Sequence, residues 1–400
     1  MAHSFLVTDV GAPGAPGSAS EAHGINGQGF VVGTWWPARS AKGNQYAFLN
    51  TNRVNANLGV LKPGNYDYSI AYAVNDAGQA VGQSTTGGYP YHAFLAVNGT
   101  ITDLDTADSD WSSAYAINQQ GQIAGEMTLP DGDIHAFLET NGVMMDLGTL
   151  PGGDYSSARG INDSGVIVGE ASQFMDGTTN IYAFIYSNGV MSNLGTLGGD
   201  YSSARAINNA GQIVGESYTV DGDTHAFLSS GGVISDLGTF GGSGSSAAAI
   251  NNAGNVVGYA LTTNEAAHAF LFSGAALVDL NSAFAPSAGW TNVFLTLAYA
   301  INDCGQIAGG VNYVAKGITN YEAFLLTPPV KLTPTVPRGG GSFGLTVTGA
   351  AGQGVILQRS ADLVNWIAVS TNSLTNHALN WTDHASQLAP NGFYRALMLP

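Results

Sequence analysis

The chain of 400 residues has room for two or three ordinary domains, or for one large β domain with an appendage. Its 11 basic and 28 acidic residues leave a formal charge of −17, which argues against a nucleic-acid partner or an anionic membrane surface. Only 10% of residues are charged and 55 are glycine, so many tight turns and short strands are expected, while the single cysteine, Cys304, excludes a disulfide framework and a cysteine-built zinc site.

The chain opens with Met1 to Phe5, which carries no basic and apolar leader, so the expectation is either a cytosolic protein or one whose leader has been removed. No apolar run is long enough to span a bilayer, and no membrane insertion is expected. Residues 5–11 read as a lone strand. A repeat then dominates the chain: Ser-x-Ala-x-(Ala/Gly)-(Ile/Val)-Asn-x-x-Gly-x-x-x-Gly, with its asparagines at Asn26, Asn75, Asn118, Asn162, Asn208, Asn251 and Asn302. The intervals of 43 to 51 residues fall in the range of propeller blades. An Ala-Phe element follows each one, ending at Phe48, Phe94, Phe137, Phe184, Phe227, Phe270 and Phe324. An Asp/Asn-Leu element follows the first six, at positions 57, 103, 146, 193, 236 and 279.

Each unit reads as four strands, the first two joined by a tight turn in which the asparagine bonds its own backbone. The last repeat lacks a fourth strand, and residues 5–11 match the missing pattern. The expected architecture is therefore an all-β, seven-bladed propeller of four-stranded blades over residues 1–326, closed by the N-terminal strand. Residues 327–341 are Pro/Gly-rich and read as a linker. Residues 342–400 alternate as strands and, through Ser360 to Trp366, resemble a small fibronectin- or immunoglobulin-like β-sandwich, expected to anchor or space.

The His-Ala-Phe triplets at His92, His135, His225 and His268, with Ala-Ile-Asn and Asp-Leu-Gly, resemble the HAF-repeat family of extracellular bacterial proteins. Tyr46, Tyr182 and Glu322 depart from it in the histidine's place. The resemblance implies an extracellular or cell-surface setting and no agreed activity. The recurrent histidines lie on separate blades, too far apart to share an ion, and are expected to bond backbone.

Loop lengths separate the two faces. The Asn-to-Gly span is seven residues in every unit, whereas the fourth-to-first connection varies from 15 to 23. Function is expected on the variable face. Three residues before each asparagine stand His23, Tyr72, Tyr115, Arg159, Arg205, Ala248 and Tyr299, between small neighbours. Upstream of them lie Glu21, Tyr68, Asp110, Trp111, Asp154, Tyr155, Asp200 and Tyr201. Aromatic faces suit sugars, and a guanidinium pair suits a carboxylate.

The leading expectation is a lyase acting by β-elimination on a uronate-containing acidic polysaccharide. Arg159 and Arg205 would neutralise the uronate, while His23, Tyr72, Tyr115 or Tyr299 would move protons. The alternatives are a non-catalytic glycan-binding adhesin or scaffold, and a glycoside hydrolase pairing Glu21 with Asp110 or Asp154. The arginines could instead pair structurally with Asp154 and Asp200. A monomer without cofactor or metal is expected, with the Asp131-Gly-Asp133 and Asp221-Gly-Asp223 loops a weak calcium signal outweighed by a turn reading.

Overall fold

The computed structural model describes residues 5–13, 18–38, 43–105, 110–175, 177–274, 276–285, 291–315, 318–335, 343–349, 353–374, 378–383 and 392–398. Among them the chain is all-β, with one short helical turn at Leu280–Ser282. The repeats fold as four-stranded antiparallel sheets set side by side as the blades of a β-propeller. The fourth repeat is representative: Ser156–Ile161, Ile167–Met175, Thr178–Ser187 and Val190–Asn193 pair in chain order. In the last repeat, Thr291–Ile301, Ile307–Ala315 and Ile318–Thr327 take their fourth strand from the other end of the chain. Phe5–Asp9 pairs antiparallel with Ile318–Thr327, placing Asp9 opposite Phe324.

The recurring asparagine closes its own turn and holds the next blade. The Asn162 Oδ1 accepts the amides of Ser164 and Val166, both at 3.0 Å, over a turn that puts Gly165 at φ +76°. Its Nδ2 donates to the Asn208 carbonyl at 3.2 Å. The same donation runs from Asn26 to Asn75, Asn75 to Asn118, Asn118 to Asn162, Asn208 to Asn251 and Asn251 to Asn302. Asn302 donates to the Asn26 carbonyl at 2.9 Å and completes the circle. The turn role follows from the sequence; the circle is a second role that it does not disclose.

The other motif residues join neighbouring blades as well. The Ala-Phe alanine amide donates to the first-strand serine of the next blade, as in Ala136 to Ser156 Oγ at 2.8 Å and Ala183 to Ser202 Oγ at 2.9 Å. Ala323 to Ser20 at 3.0 Å carries this bond across the chain ends. The following phenylalanines are all fully buried. Each first strand also bulges at the residue three before the asparagine, as between Ala158 and Gly160. The bulge brings the two inner strands so close that a Cβ on Gly169 would lie 1.9 Å from the Ser157 carbonyl oxygen. Glycine is required there by contact, independently of any turn.

The eleven-residue spacing from the residue before Ala-Phe to the Asp/Asn of the outer strand also has a cause. The histidine Nδ1 meets the aspartate of the adjacent outer strand: His92–Asp103 at 2.8 Å, His135–Asp146 at 2.9 Å, His225–Asp236 and His268–Asp279 at 2.7 Å. The expected backbone partner is thus replaced by a carboxylate. Where tyrosine replaces histidine, at Tyr46 and Tyr182, the outer strand carries Asn57 and Asn193 instead of aspartate.

Beyond the propeller, two three-stranded sheets enclose Leu345, Val347, Val355, Leu357 and Leu374. Lys331–Thr335, inside the segment expected to be a linker, pairs with Phe343–Thr348 as a strand of this module. The remainder of that segment, 336–341, lies outside the described residues.

Replacing Asn162 by Ala should destabilise the protein by about 1–3 kcal/mol, because two backbone donors and one carbonyl lose buried partners. The measurement is the urea midpoint at unchanged m-value. The exposed turn neighbour Ser164→Ala is the control, expected within about 0.5 kcal/mol of the parent.

Candidate functional site

The bulges explain which side chains reach the propeller axis. An extra residue in the inner strand is left out of the ladder and its side chain is re-aimed. The register shifts fall at His23, Tyr72, Tyr115, Arg159, Arg205, Ala248 and Tyr299, and all seven line one axial cavity of about 350 Å³. The structure thus brings together the six residues expected to carry chemistry. Their rings form a contiguous belt: Tyr299–His23 at 5.2 Å between centroids, His23–Tyr72 at 5.9 Å, and Tyr72–Tyr115 at 5.1 Å. The Arg159 guanidinium continues it, 4.2 Å from the centre of the Tyr115 ring. The rest of the cavity lining runs toward the asparagine turns and includes Asp76, Asp163 and Asp303. The cavity therefore lies on the uniform-turn side of the belt, not on the variable face where the working site is expected.

Both arginines are already paired. Arg159 Nη2 lies 3.3 Å from Glu170 Oε1, and Arg205 Nη2 lies 2.8 Å from Glu216 Oε1. Neither ion pair uses Asp154 or Asp200, the structural partners considered from sequence. Those two are exposed, and Asp154 instead accepts from Ser172 Oγ at 3.0 Å. Tyr155 donates to Glu170 at 3.0 Å, Tyr201 to Glu216 at 3.3 Å, and Tyr115 to Glu126. These glutamates, absent from the sequence-level site, follow the close-approach glycines as Gly125-Glu126, Gly169-Glu170 and Gly215-Glu216. The recurrent dipeptide was the available signal; Thr34, Gln83 and Tyr259 occupy the same register in other blades.

Burial sets the protonation of the belt. It lowers the His23 pKa against the opposing pull of Glu21, whose Oε2 is 4.0 Å from His23 Nε2. That nitrogen is buried and has no hydrogen-bond partner. Burial also raises the hydroxyls of Tyr72, Tyr115 and Tyr299 above the usual tyrosine range, helped by Tyr115, Glu126 and Glu21 respectively, so they hold their protons and the phenolate that a base would need is scarce. Glu170 is penalised by burial, yet Arg159 holds its pKa below the ordinary value. Chemically, the belt is a set of arginine–glutamate ion pairs and protonated phenols around one imidazole, with the buried Arg159 Nε, like His23 Nε2, lacking a hydrogen-bond partner.

Glu21 accepts from the Tyr321 hydroxyl and stands apart from Asp110 and Asp154, which are exposed on other blades; none of the three lines the cavity. The proposed hydrolase pair is therefore not assembled there. Trp111 is half-buried, and its carbonyl accepts from Thr128 at 2.8 Å. Asp131 accepts the Asp133 amide at 3.2 Å, as a turn residue does. Among the described residues no three His, Cys, Asp or Glu side chains are grouped to hold a metal.

On the variable face of the second repeat, Tyr68 belongs to a larger aromatic group. Tyr66 stacks on Tyr68 at 6.4 Å, Tyr68 meets Tyr91 at 4.8 Å, and Tyr91 meets Tyr89 at 4.8 Å. Tyr89 is 79% exposed. Tyr68 accepts from Gln83 Nε2 at 3.2 Å. Tyr66, Tyr89 and Tyr91 were missed from sequence because they fall in variable loops and flanks, outside the repeated positions.

This site belongs to a β-propeller. No protein-family model and no curated protein matches the chain. Among solved structures, a TolB from Agrobacterium tumefaciens aligns at TM-score 0.38 and 14% identity over 66% of this chain and 88% of its own. TolB from Acinetobacter baumannii aligns at 0.39 and 14% identity over 75% and 80%. Dipeptidyl peptidase 4 from Porphyromonas gingivalis aligns at 0.41 and 8% identity over 86% and 58%. Likeness at this level assigns no activity.

The pairing of Arg159 with Glu170 has a signed pH consequence. A carboxylate held low in the native state stabilises the fold above its unfolded pKa, and this contribution is lost as pH falls through the lowered native value. Arg159→Met should cost about 1–3 kcal/mol at pH 7 and flatten the acid limb of a plot of Tm against pH. Arg205→Met should cost less, since Arg205 is 42% exposed where Arg159 is 25% exposed. Thermal melts of both variants between pH 3 and 8 check the order.

Proposed function

We propose that this protein is a non-catalytic glycan-binding propeller, seven-bladed and closed by its N-terminal strand, that works as an adhesin or scaffold at the cell exterior. The observation that carries the reading is the run of tyrosine rings Tyr66, Tyr68, Tyr91 and Tyr89 on the variable face. A pyranose offers an apolar C–H face that packs on such rings, and a hydroxyl rim for the polar groups beside them. The extracellular setting rests on the HAF-repeat resemblance, and the C-terminal sandwich fits a spacer.

The charge around the platform favours an uncharged or amino-sugar glycan over a uronate. Asp110, Asp131, Asp154, Asp200, Asp221 and Glu265 are exposed on the connections of that face. A polyanion approaching it meets repulsion. The elimination reading is weakened by the two arginines, whose guanidinium groups are engaged by Glu170 and Glu216. It keeps one supporting feature, the unpartnered His23 Nε2 as a candidate base.

Affinity electrophoresis in gels containing neutral, amino-sugar or uronate polysaccharides tests both readings, with ultraviolet absorbance followed in parallel. Retardation by neutral or amino-sugar polymers without an absorbance rise is the expected outcome. Tyr89→Ala and Tyr91→Ala should each weaken it about tenfold, or about 1.4 kcal/mol, with unchanged circular dichroism. Unsaturated product from a uronate polymer would overturn the non-catalytic reading and restore the lyase.

A further inference from the structure

We infer that the closure between the chain's N-terminal strand and its last blade is a proton-sensitive latch, formed by Asp9 and Glu322 where four other blades carry a histidine–aspartate pair. The register supplies the argument. Asp9 pairs opposite Phe324 as Asp103, Asp146, Asp236 and Asp279 pair opposite the phenylalanines of their own blades. Glu322 is the residue two before that phenylalanine, the place of His92, His135, His225 and His268. A histidine–aspartate hydrogen bond in those blades thus becomes a pair of acids at the junction that holds the two ends of the propeller together.

Among the described residues the surroundings supply no compensating cation. Glu322 accepts from Ser20 Oγ of the first blade at 2.9 Å, and Asp9 accepts the Gly11 amide at 2.7 Å. Val311 lies opposite Glu322 on the second strand. Tyr313, two residues on, has its hydroxyl pushed up to about 12 by burial and then by Asp9 and Glu322. On the neighbouring position of the third strand, Tyr321 is bonded to Glu21. No lysine, arginine or histidine among the described residues forms an ion pair with either carboxylate.

Two acids in this arrangement are accommodated best when one of them keeps its proton. Burial, opposed by the Ser20 hydrogen bond and reinforced by Asp9, raises Glu322 to about 7. The native state therefore holds a proton that the unfolded chain releases at ordinary carboxylate pH. Its contribution to stability is fully present below that range and is lost as pH rises to about 7. The latch is tight in acid and loosens toward neutrality and above.

The test compares the full-length protein with Glu322→Gln and Glu322→His by thermal melting between pH 5 and 8.5, together with amide hydrogen exchange of residues 5–9. The parent should lose protection in Phe5–Asp9 as pH rises, after correction for intrinsic exchange. Glu322→Gln should remove that loss and melt about 2–4 °C above the parent at pH 8. Glu322→His, which restores the pairing of the other blades, should also gain at pH 8. Asp9→Asn, which retains an acceptor for Gly11, repeats the measurement should the Glu322 variants misfold. Parallel profiles for the parent and either neutral variant would overturn the latch.

Discussion

The propeller depends on one amide side chain used in two directions. An asparagine at the end of each inner strand satisfies turn amides with its oxygen, one at Asn75 and two in the other repeats, and reaches the next blade's carbonyl with its nitrogen. Because the acceptor is the backbone of the next equivalent asparagine, each blade is positioned by the turn of its neighbour. The last donation returns to Asn26, so no blade of the circle lacks an axial partner. Glutamine is a methylene longer and aspartate lacks the donor, so neither could bond both its own turn and the next carbonyl in this geometry. This constraint also holds the asparagine-to-glycine span constant, and it leaves the opposite connections free to vary.

The fold was legible in the sequence because each repeated residue answers a contact that recurs from blade to blade, although Thr296 stands in the serine's place in the last repeat. Serine receives an amide across a junction, alanine and glycine face each other at the bulge, and phenylalanine fills the space between sheets. Even the terminal strand could be matched, since Asp9 repeats the outer-strand aspartate. What the pattern could not convey was direction. Periodicity placed His23, Tyr72, Tyr115, Arg159, Arg205 and Tyr299 on one circle, and they do share a cavity. Which end of the circle opens depends on how each strand bulges. Partners offered by a neighbouring strand were also hidden, and so Glu170 and Glu216 went unseen while Asp154 and Asp200, adjacent in sequence, were considered instead.

The same partners change what the axis can do. A guanidinium that faces an empty mouth attracts a carboxylate; one that already holds a glutamate must first surrender it. Low-dielectric surroundings strengthen both the existing pair and its competitor, so burial alone gives a uronate no advantage. Around the axis the acidic side chains Glu21, Glu126, Glu170 and Glu216 outnumber Arg159 and Arg205. Recognition of an uncharged surface by tyrosine rings avoids that competition. The structural emphasis therefore moves outward, from the axis to the variable connections.

The bulge also makes the axial position unusually tolerant, because a residue outside the ladder contributes no strand hydrogen bond of its own. Histidine, tyrosine, arginine and alanine all occupy it without altering the blade around them. The consequence is that the belt's shape is decided by side-chain volume alone. From Tyr299 through His23, Tyr72 and Tyr115 to Arg159, large groups touch in succession. Beside Arg205 stands Ala248, which leaves a gap in the belt. The two arginines have the same register and the same kind of glutamate partner, yet Arg205 is 42% exposed and Arg159 25%. The difference follows from the missing neighbour: Arg159 is covered by the Tyr115 ring, whereas Arg205 borders a methyl group. A single small residue thus gives one side of the axis to solvent while the rest is closed by aromatic packing.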